Sequence, residues 1–219
     1  DEVDEDPDIR VFVLRGAGGK AFVAGTDINQ FRSFREPKDA LDYESRIEKV
    51  LTRLEDVRKP TIAAVTGYAV GGGLMIALAC DLRICTPDSR FGAPIARTLG
   101  NCLAFGNYAR LIDLIGPART MELIYSARLV DAEEAYRIGL VNEVIPADRF
   151  EQRLDELIKT ISSHAPLTLA VTKQAVRRIQ RHRRPTGGED LIVTCYMSDD
   201  FREGVEAFLS KRQPIWRGR

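Results

Sequence analysis

Two glycine-bearing turns constrain this chain more than any other feature. Phe22-Val23-Ala24-Gly25-Thr26-Asp27-Ile28 and Gly67-Tyr68-Ala69-Val70-Gly71-Gly72-Gly73 each follow an apolar, strand-like run, and the second opens a helix-like segment. Together they can aim two backbone N–H groups at one point, the geometry of an oxyanion hole. On its own, Gly71-Gly72-Gly73 supports two interpretations. A backbone without Cβ atoms at a helix N-terminus presents free N–H groups and partial positive charge to a carbonyl oxygen or another anion. The same three residues also suit a tight turn that packs a helix against a sheet. A dinucleotide fingerprint is not supported, because the spacing differs and no acidic ribose partner stands out, and a Walker loop lacks its Lys-Ser/Thr.

The flanking runs set the fold class. Val11-Phe12-Val13-Leu14, ended by Gly16, Gly18 and Gly19, reads as a buried strand. A charged, loosely helical stretch covers about Phe31 to Arg58, and Pro60 introduces a second buried strand, Thr61-Ile62-Ala63-Ala64-Val65. Leu74 to Ala79 continue as an apolar helix, and Leu82-Arg83-Ile84-Cys85 forms a third strand. Such alternation predicts an α/β fold with a mostly parallel sheet. Farther on, Leu111 to Ile115 is closed by Gly116-Pro117, a stop and restart signal, and Asp131 with Glu134 caps a helix from Ala132 to Arg137. Leu140 to Ile145 is the last predicted strand. Three helices are expected from Arg149 onward, broken near Ala165-Pro166 and Pro185 to Gly188.

Composition narrows the function. Lys plus Arg and Asp plus Glu are both 32, so net charge gives no broad reason to bind nucleic acid or an anionic membrane. No apolar run approaches the roughly 18 residues of a membrane span. The acidic opening, Asp1-Glu2-Val3-Asp4-Glu5-Asp6, lacks a signal-peptide pattern and reads as the end of a helix running into a strand, so further sequence is expected upstream. Cys80, Cys85, Cys102 and Cys195 show neither metal-ligand nor disulfide spacing, which fits reduced thiols in a cytoplasmic protein. Two histidines, His164 and His182, disfavour a Ser–His–Asp hydrolase or a multi-histidine metal site.

The segments Lys20 to Ile28, Lys59 to Gly73, Cys80 to Ile84, Phe91 to Pro94, Gly139 to Asn142 and Arg202 to Phe208 resemble, in order, those of the enoyl-CoA hydratase/isomerase (crotonase) superfamily. The likeness spans nearly the whole chain, although the family's first strands have no counterpart. It implies a crotonase-like spiral of ββα units over residues 1–148, and a helical oligomerisation region over 149–219. It also implies a coenzyme A thioester substrate, with no permanently bound cofactor or metal. The Thr26 and Gly72 N–H groups match the donors that polarise the thioester carbonyl, one such donor being worth ~3 kcal/mol of barrier. Ala24, Thr26, Asp27, Ile28, Asn29 and Gly72 match coenzyme A contacts, and Asp27 suits a local turn cap equally well.

The positions at which hydratases of this family carry two glutamates are here Met75 and Ile95, or Ala96 if the register shifts by one. Neither side chain transfers a proton, so the two-carboxylate mechanism does not carry over. Replacements are sought in Arg97-Thr98-Leu99-Gly100-Asn101-Cys102. Cys102 falls near the nucleophilic aspartate of the family's aryl-CoA dehalogenases, and it suits either a thiolate activated by Arg97 or a structural cysteine. Asn101, Asn107 and Tyr108 are candidate water-holding groups or turn residues.

Lys173, Arg177, Arg178, Arg181, His182, Arg183 and Arg184 share one predicted helix. A solvated face is one interpretation; contact with coenzyme A phosphates or with RNA, as in one branch of the family, is the sharper one. Lys211 and Arg212 match a region that reaches a neighbour's nucleotide. The resemblance implies homotrimers, often paired into hexamers. The function expected is that of a lyase or isomerase which stabilises the enolate of an acyl-CoA. The alternative is a catalytically weak acyl-CoA-binding or RNA-binding homologue.

Overall fold

The computed structural model describes residues 1–23 and 25–219. After a short helix α1 (Glu2–Glu5), a ββα unit repeats three times. The first is β1 (Phe12–Arg15), β2 (Ala21–Val23) and, after a 3₁₀ turn at Ile28–Ser33, α2 (Pro37–Glu55). The second is β3 (Thr61–Val65), β4 (Tyr68–Val70) and α3 (Gly72–Ala79); the third is β5 (Leu82–Cys85), β6 (Arg90–Gly92) and α4 (Ile95–Thr98). In every unit the first strand joins one sheet and the second strand joins the other. The sheets run β1-β3-β5-β8 and β2-β4-β6-β7, where β7 is Val130–Asp131 and β8 is Glu143–Val144. All pairings are parallel except β6 with β7. This is the crotonase-like α/β spiral.

The central strand β3 is buried at every residue because it is covered on both faces. Its side chains alternate: Ala63 and Val65 face a core with Leu74 and Phe91, while Ile62 and Ala64 face Phe150 and Leu154. The latter two belong to α7 (Phe150–Ser163). The second sheet escapes sequence inspection because β2, β4 and β6 are three residues each, too short to show a period.

Helix α5 (Phe105–Ser126) is interrupted at Gly116, where φ 75° and ψ 166° break it before Pro117, as the stop and restart signal predicts. The Asp131 side chain accepts the Glu134 N–H at 2.8 Å and caps α6 (Ala132–Arg137). The last strand is shorter than expected. Leu140 and Asn142 turn instead to Arg83, which donates Nε–H to the Leu140 carbonyl and its backbone N–H to Asn142 Oδ1, both at 2.8 Å.

Four helices follow Arg149 rather than three: α7, α8 (Pro166–Arg183), α9 (Glu189–Tyr196) and α10 (Asp199–Leu209). The extra break lies at Ser198, whose hydroxyl caps the Phe201 N–H at 2.9 Å. Helices α9 and α10 fold back onto α2 and the 3₁₀ turn through Phe31, Tyr43, Tyr196 and Phe201, with Tyr196 and Phe201 ring centres 4.7 Å apart. That return closes the cavity described below. Among the described residues no helix is long and apolar enough to cross a membrane.

Candidate active site

The joint between β4 and α3 is strained in a way only glycine permits. Gly71 adopts φ 57° and ψ −122°, and a Cβ added to Gly73 would lie 2.1 Å from the Val23 carbonyl oxygen. The start of α3 is thereby pressed against the end of β2. A Cβ built on Gly72 would lie 4.0 Å from Thr26 N, so the two turns face each other at close quarters. Among the described residues neither the Thr26 nor the Gly72 N–H donates a hydrogen bond. Two free donors, one at the positive end of a helix, therefore sit side by side.

These donors border a cavity of about 400 Å³. Thr26, Asp27, Ile28, Asn29, Gly72, Asn101 and Cys102 all line it, together with Met75 and Ile95. Ala24 lies outside the described residues. Arg97 is not brought to the cavity: it sits exposed in α4, whose buried face presents Ile95 inward. Ala96 is also exposed and absent from the wall. No activation of Cys102 by Arg97 is therefore available. The Cys102 thiol donates to the Leu191 carbonyl at 3.6 Å, and the adjacent Cys195 thiol, followed by burial, pushes its pKa up. Asp27 behaves as a turn cap, accepting the Asn29 N–H at 3.0 Å and thereby lowering its own pKa while staying at the cavity rim. Asn107 lines the wall with its Oδ1 engaged by Arg110 at 3.0 Å, and the Tyr108 hydroxyl takes the Leu103 N–H at 3.5 Å.

The polar core of the wall is a group that sequence inspection missed. Glu44 of α2 is 8% exposed and also lines the cavity. The Tyr196 hydroxyl donates to Glu44 Oε1 and accepts from Asn101 Nδ2 at 3.1 Å. Burial drives the Glu44 carboxyl up to about 7, against the opposing pull of the Tyr196 hydrogen bond and helped by the negative charge of Glu48. Asn101 Oδ1 is buried without a partner. Next to Glu44, the Tyr43 hydroxyl meets Thr26 Oγ1 at 2.8 Å, tying α2 to the first glycine turn. A signal existed: Ala40, Tyr43, Glu44, Leu51 and Glu55 are the buried residues of α2, so two acids fall on its apolar stripe.

The basic helix α8 is not simply a solvated face. Lys173 and Arg177 turn inward to Asp81 at 2.8 and 3.1 Å, and Arg184, just past the helix end, reaches Glu55 at 2.9 Å. Arg178, His182 and Arg183 remain exposed. Among the described residues no group of three or more His, Cys, Asp or Glu is arranged to hold a metal ion.

The sequence and the fold are shared with known proteins. The enoyl-CoA hydratase/isomerase family model matches residues 1–219. A short-chain enoyl-CoA hydratase of Clostridium acetobutylicum is 35% identical over 215 residues, covering 97% of this chain and 82% of its own. A carnitinyl-CoA dehydratase of Citrobacter koseri is 36% identical over 223 residues, covering 98% and 84%. The solved structure of a methylmalonyl-CoA decarboxylase in complex with 2-nitronate-propionyl-CoA superposes with a TM-score of 0.88 at 28% identity, over 98% of this chain and 84% of that one. The chain belongs to the enoyl-CoA hydratase/isomerase, or crotonase, family of acyl-CoA enzymes.

Proposed function

We propose that this protein binds an acyl-CoA thioester with its carbonyl oxygen between the N–H groups of Thr26 and Gly72, and that it stabilises the enolate formed there. The observation that carries this is the pair of free donors at the edge of a mostly apolar cavity. Ile28 and Asn29, with Asp27 at the rim, contact the coenzyme A portion. The acyl chain lies against Met75 and Ile95, which supply neither a base nor a water-holding group. Hydration by two carboxylates is therefore not the reaction proposed. In the same proposal the chain works as a trimer or a pair of trimers.

A second reaction, decarboxylation, is favoured by the same wall. Loss of carbon dioxide from a malonyl-type thioester leaves an enolate without a base at either position, and the decarboxylase above has this fold. The test is calorimetry with crotonyl-CoA and methylmalonyl-CoA, on a sample whose mass is read by light scattering, followed by turnover of each. Binding of the thioesters is expected. Crotonyl-CoA hydration is expected to be at least about 10²-fold slower than in a two-glutamate relative, the usual loss when an acid–base group is missing. Absence of binding at millimolar ligand, or hydration at the relative's rate, would overturn the respective part.

A further inference from the structure

We propose that Glu44 is the group that moves the proton at the α carbon of the bound thioester, with Tyr196 and Asn101 as positioning residues for its carboxyl. The proposal rests on the acyl-CoA function above and supplies what Met75 and Ile95 leave out. Five titratable side chains line the cavity among the described residues: Asp27, Tyr43, Glu44, Cys102 and Tyr196. Asp27 is committed to the Asn29 cap, and the hydroxyl of Tyr43 to Thr26. Burial pushes Tyr43 and Tyr196 upward, and the Cys195 thiol and burial do the same to Cys102, so none of these three ionises readily near neutrality. Glu44 alone combines cavity access with a carboxyl poised near neutral pH.

Its geometry suits the task. Oε1 is held by Tyr196, while among the described residues Oε2 accepts no hydrogen bond, and the side chain lines the cavity. Glu44 also borders a second groove of about 970 Å³, which α2 lines with Asp42, Ser45, Glu48 and Lys49 rather than with Tyr43 and Ile47. The charged and titratable groups facing Glu44 are Glu48 and Tyr43 on its own helix, Tyr196 from α9 and Cys102 from the loop after α4. No cation touches its carboxyl among the described residues, so nothing holds it permanently ionised.

The step balances within the site. The Glu44 carboxylate takes the α proton, and the C–H bonding pair moves into the C–C bond of the enolate. The carbonyl π pair passes to the oxygen held by Thr26 and Gly72. Returning the proton to carbon restores the thioester and the carboxylate. Where the enolate arises by loss of carbon dioxide, neutral Glu44 gives its proton to the same carbon.

Deuterium uptake at the α carbon of butyryl-CoA in heavy water, read by mass spectrometry, tests this without knowledge of the natural acyl group. Wild-type protein is expected to exchange with a rate that rises through pH about 7. Glu44→Gln should lower the rate about 10²–10⁴-fold while calorimetric affinity for butyryl-CoA is retained. Tyr196→Phe removes the hydrogen bond that favours the carboxylate, so it should move the midpoint of the pH profile upward, which a merely structural tyrosine would not do. Exchange by Glu44→Gln at the wild-type rate, or no exchange by wild-type protein that binds the thioester, overturns the role of Glu44 and leaves the acyl-CoA function standing. No binding by wild-type protein overturns both.

Discussion

Glu44 and Glu55 lie on one face of α2, eleven residues and about three turns apart, and both are buried, at 8% and 1% exposure. Their surroundings are opposite. Glu55 meets Arg110 at 3.0 Å, Arg184 at 2.9 Å and Arg177 at 3.4 Å, from α5, the end of α8 and α8 itself. Burial pushes its carboxyl up, but the hydrogen bonds and charges of Arg184 and Arg110 outweigh that and bring it to about 2. Glu44 has a tyrosine hydroxyl in place of three guanidinium groups and rises to about 7. Depth alone therefore does not fix the charge of a buried acid; the count of cations around it does. At one end of α2 the carboxylate joins the tail to the core, and at the other it is left free to change charge.

The sharpest way to break this contrast is to remove the structural acid. Glu55→Gln would leave Arg110, 1% exposed along its side chain, with Glu48 as its one remaining carboxylate, and Arg184 without its carboxylate. The expected loss is ~3–5 kcal/mol of unfolding free energy by denaturant titration, the usual cost of stranding a buried charge. The native cluster also has a pH signature. A carboxyl lowered to about 2 contributes stability that is complete above its unfolded value near 4.5 and is lost as pH falls from there toward 2. A variant no less stable than wild type at pH 7 would show that the cluster is held by something other than Glu55.

Glu44 gives the opposite sign. Its folded pKa is raised, so the native state keeps a proton that the unfolded chain has released. Stability is undiminished below about 4.5, falls as pH rises through the interval to about 7, and stays reduced above it. The penalty is on the order of 3 kcal/mol, from the size of that shift. Glu44→Gln keeps the shape and an acceptor for Tyr196 but cannot ionise. Its stability relative to wild type is expected to increase between pH 5 and pH 8 by a comparable amount, measured by denaturant titration at each pH. A difference that does not change with pH would mean that Glu44 is already neutral, or already compensated, throughout that range. A residue that costs stability when charged fits one retained for chemistry.

Much of the scaffold was legible in the chain because the signals are local. Gly71 to Gly73, the Asp131 cap and the Gly116 interruption each act within a few residues of themselves. β3 carries an unbroken apolar run because both its faces are covered. The second sheet was not legible as a layer, since three-residue strands carry no period and acquire their partners only when the ββα units stack. The facing turns of Thr26 and Gly72 could be placed from the sequence, but the buried carboxyl of Glu44 could not, because the hydroxyl that holds it is distant. Tyr196 lies 152 residues away in sequence. Likewise the inward turn of Lys173, Arg177 and Arg184 depends on Asp81 and Glu55, so a run that resembles a solvated face is in part consumed in buried ion pairs. Arg97 illustrates the converse: its place beside Asn101 and Cys102 in the chain is not a place beside them in the cavity.

The smallest expected effect isolates the backbone of the donor turn from its side chain. Thr26 is tied to α2 through the 2.8 Å contact between its Oγ1 and the Tyr43 hydroxyl, one residue before Glu44. Thr26→Val keeps the β-branched shape and the N–H while removing that contact. One neutral hydrogen bond is worth about 1 kcal/mol, so unfolding free energy should fall by about that amount. The Tyr43 hydroxyl, part-buried at this position, is then left to find water. Affinity for butyryl-CoA should be unchanged if, as proposed, the group that meets the thioester is the main-chain N–H. The Glu44 profile should keep its midpoint as well, since its carboxyl is held from the other side by Tyr196. A large loss of thioester affinity in Thr26→Val, with the protein folded, would instead show that the hydroxyl pair sets the position of the donor. The pocket end of α2 would then be as much a structural joint as the arginine end.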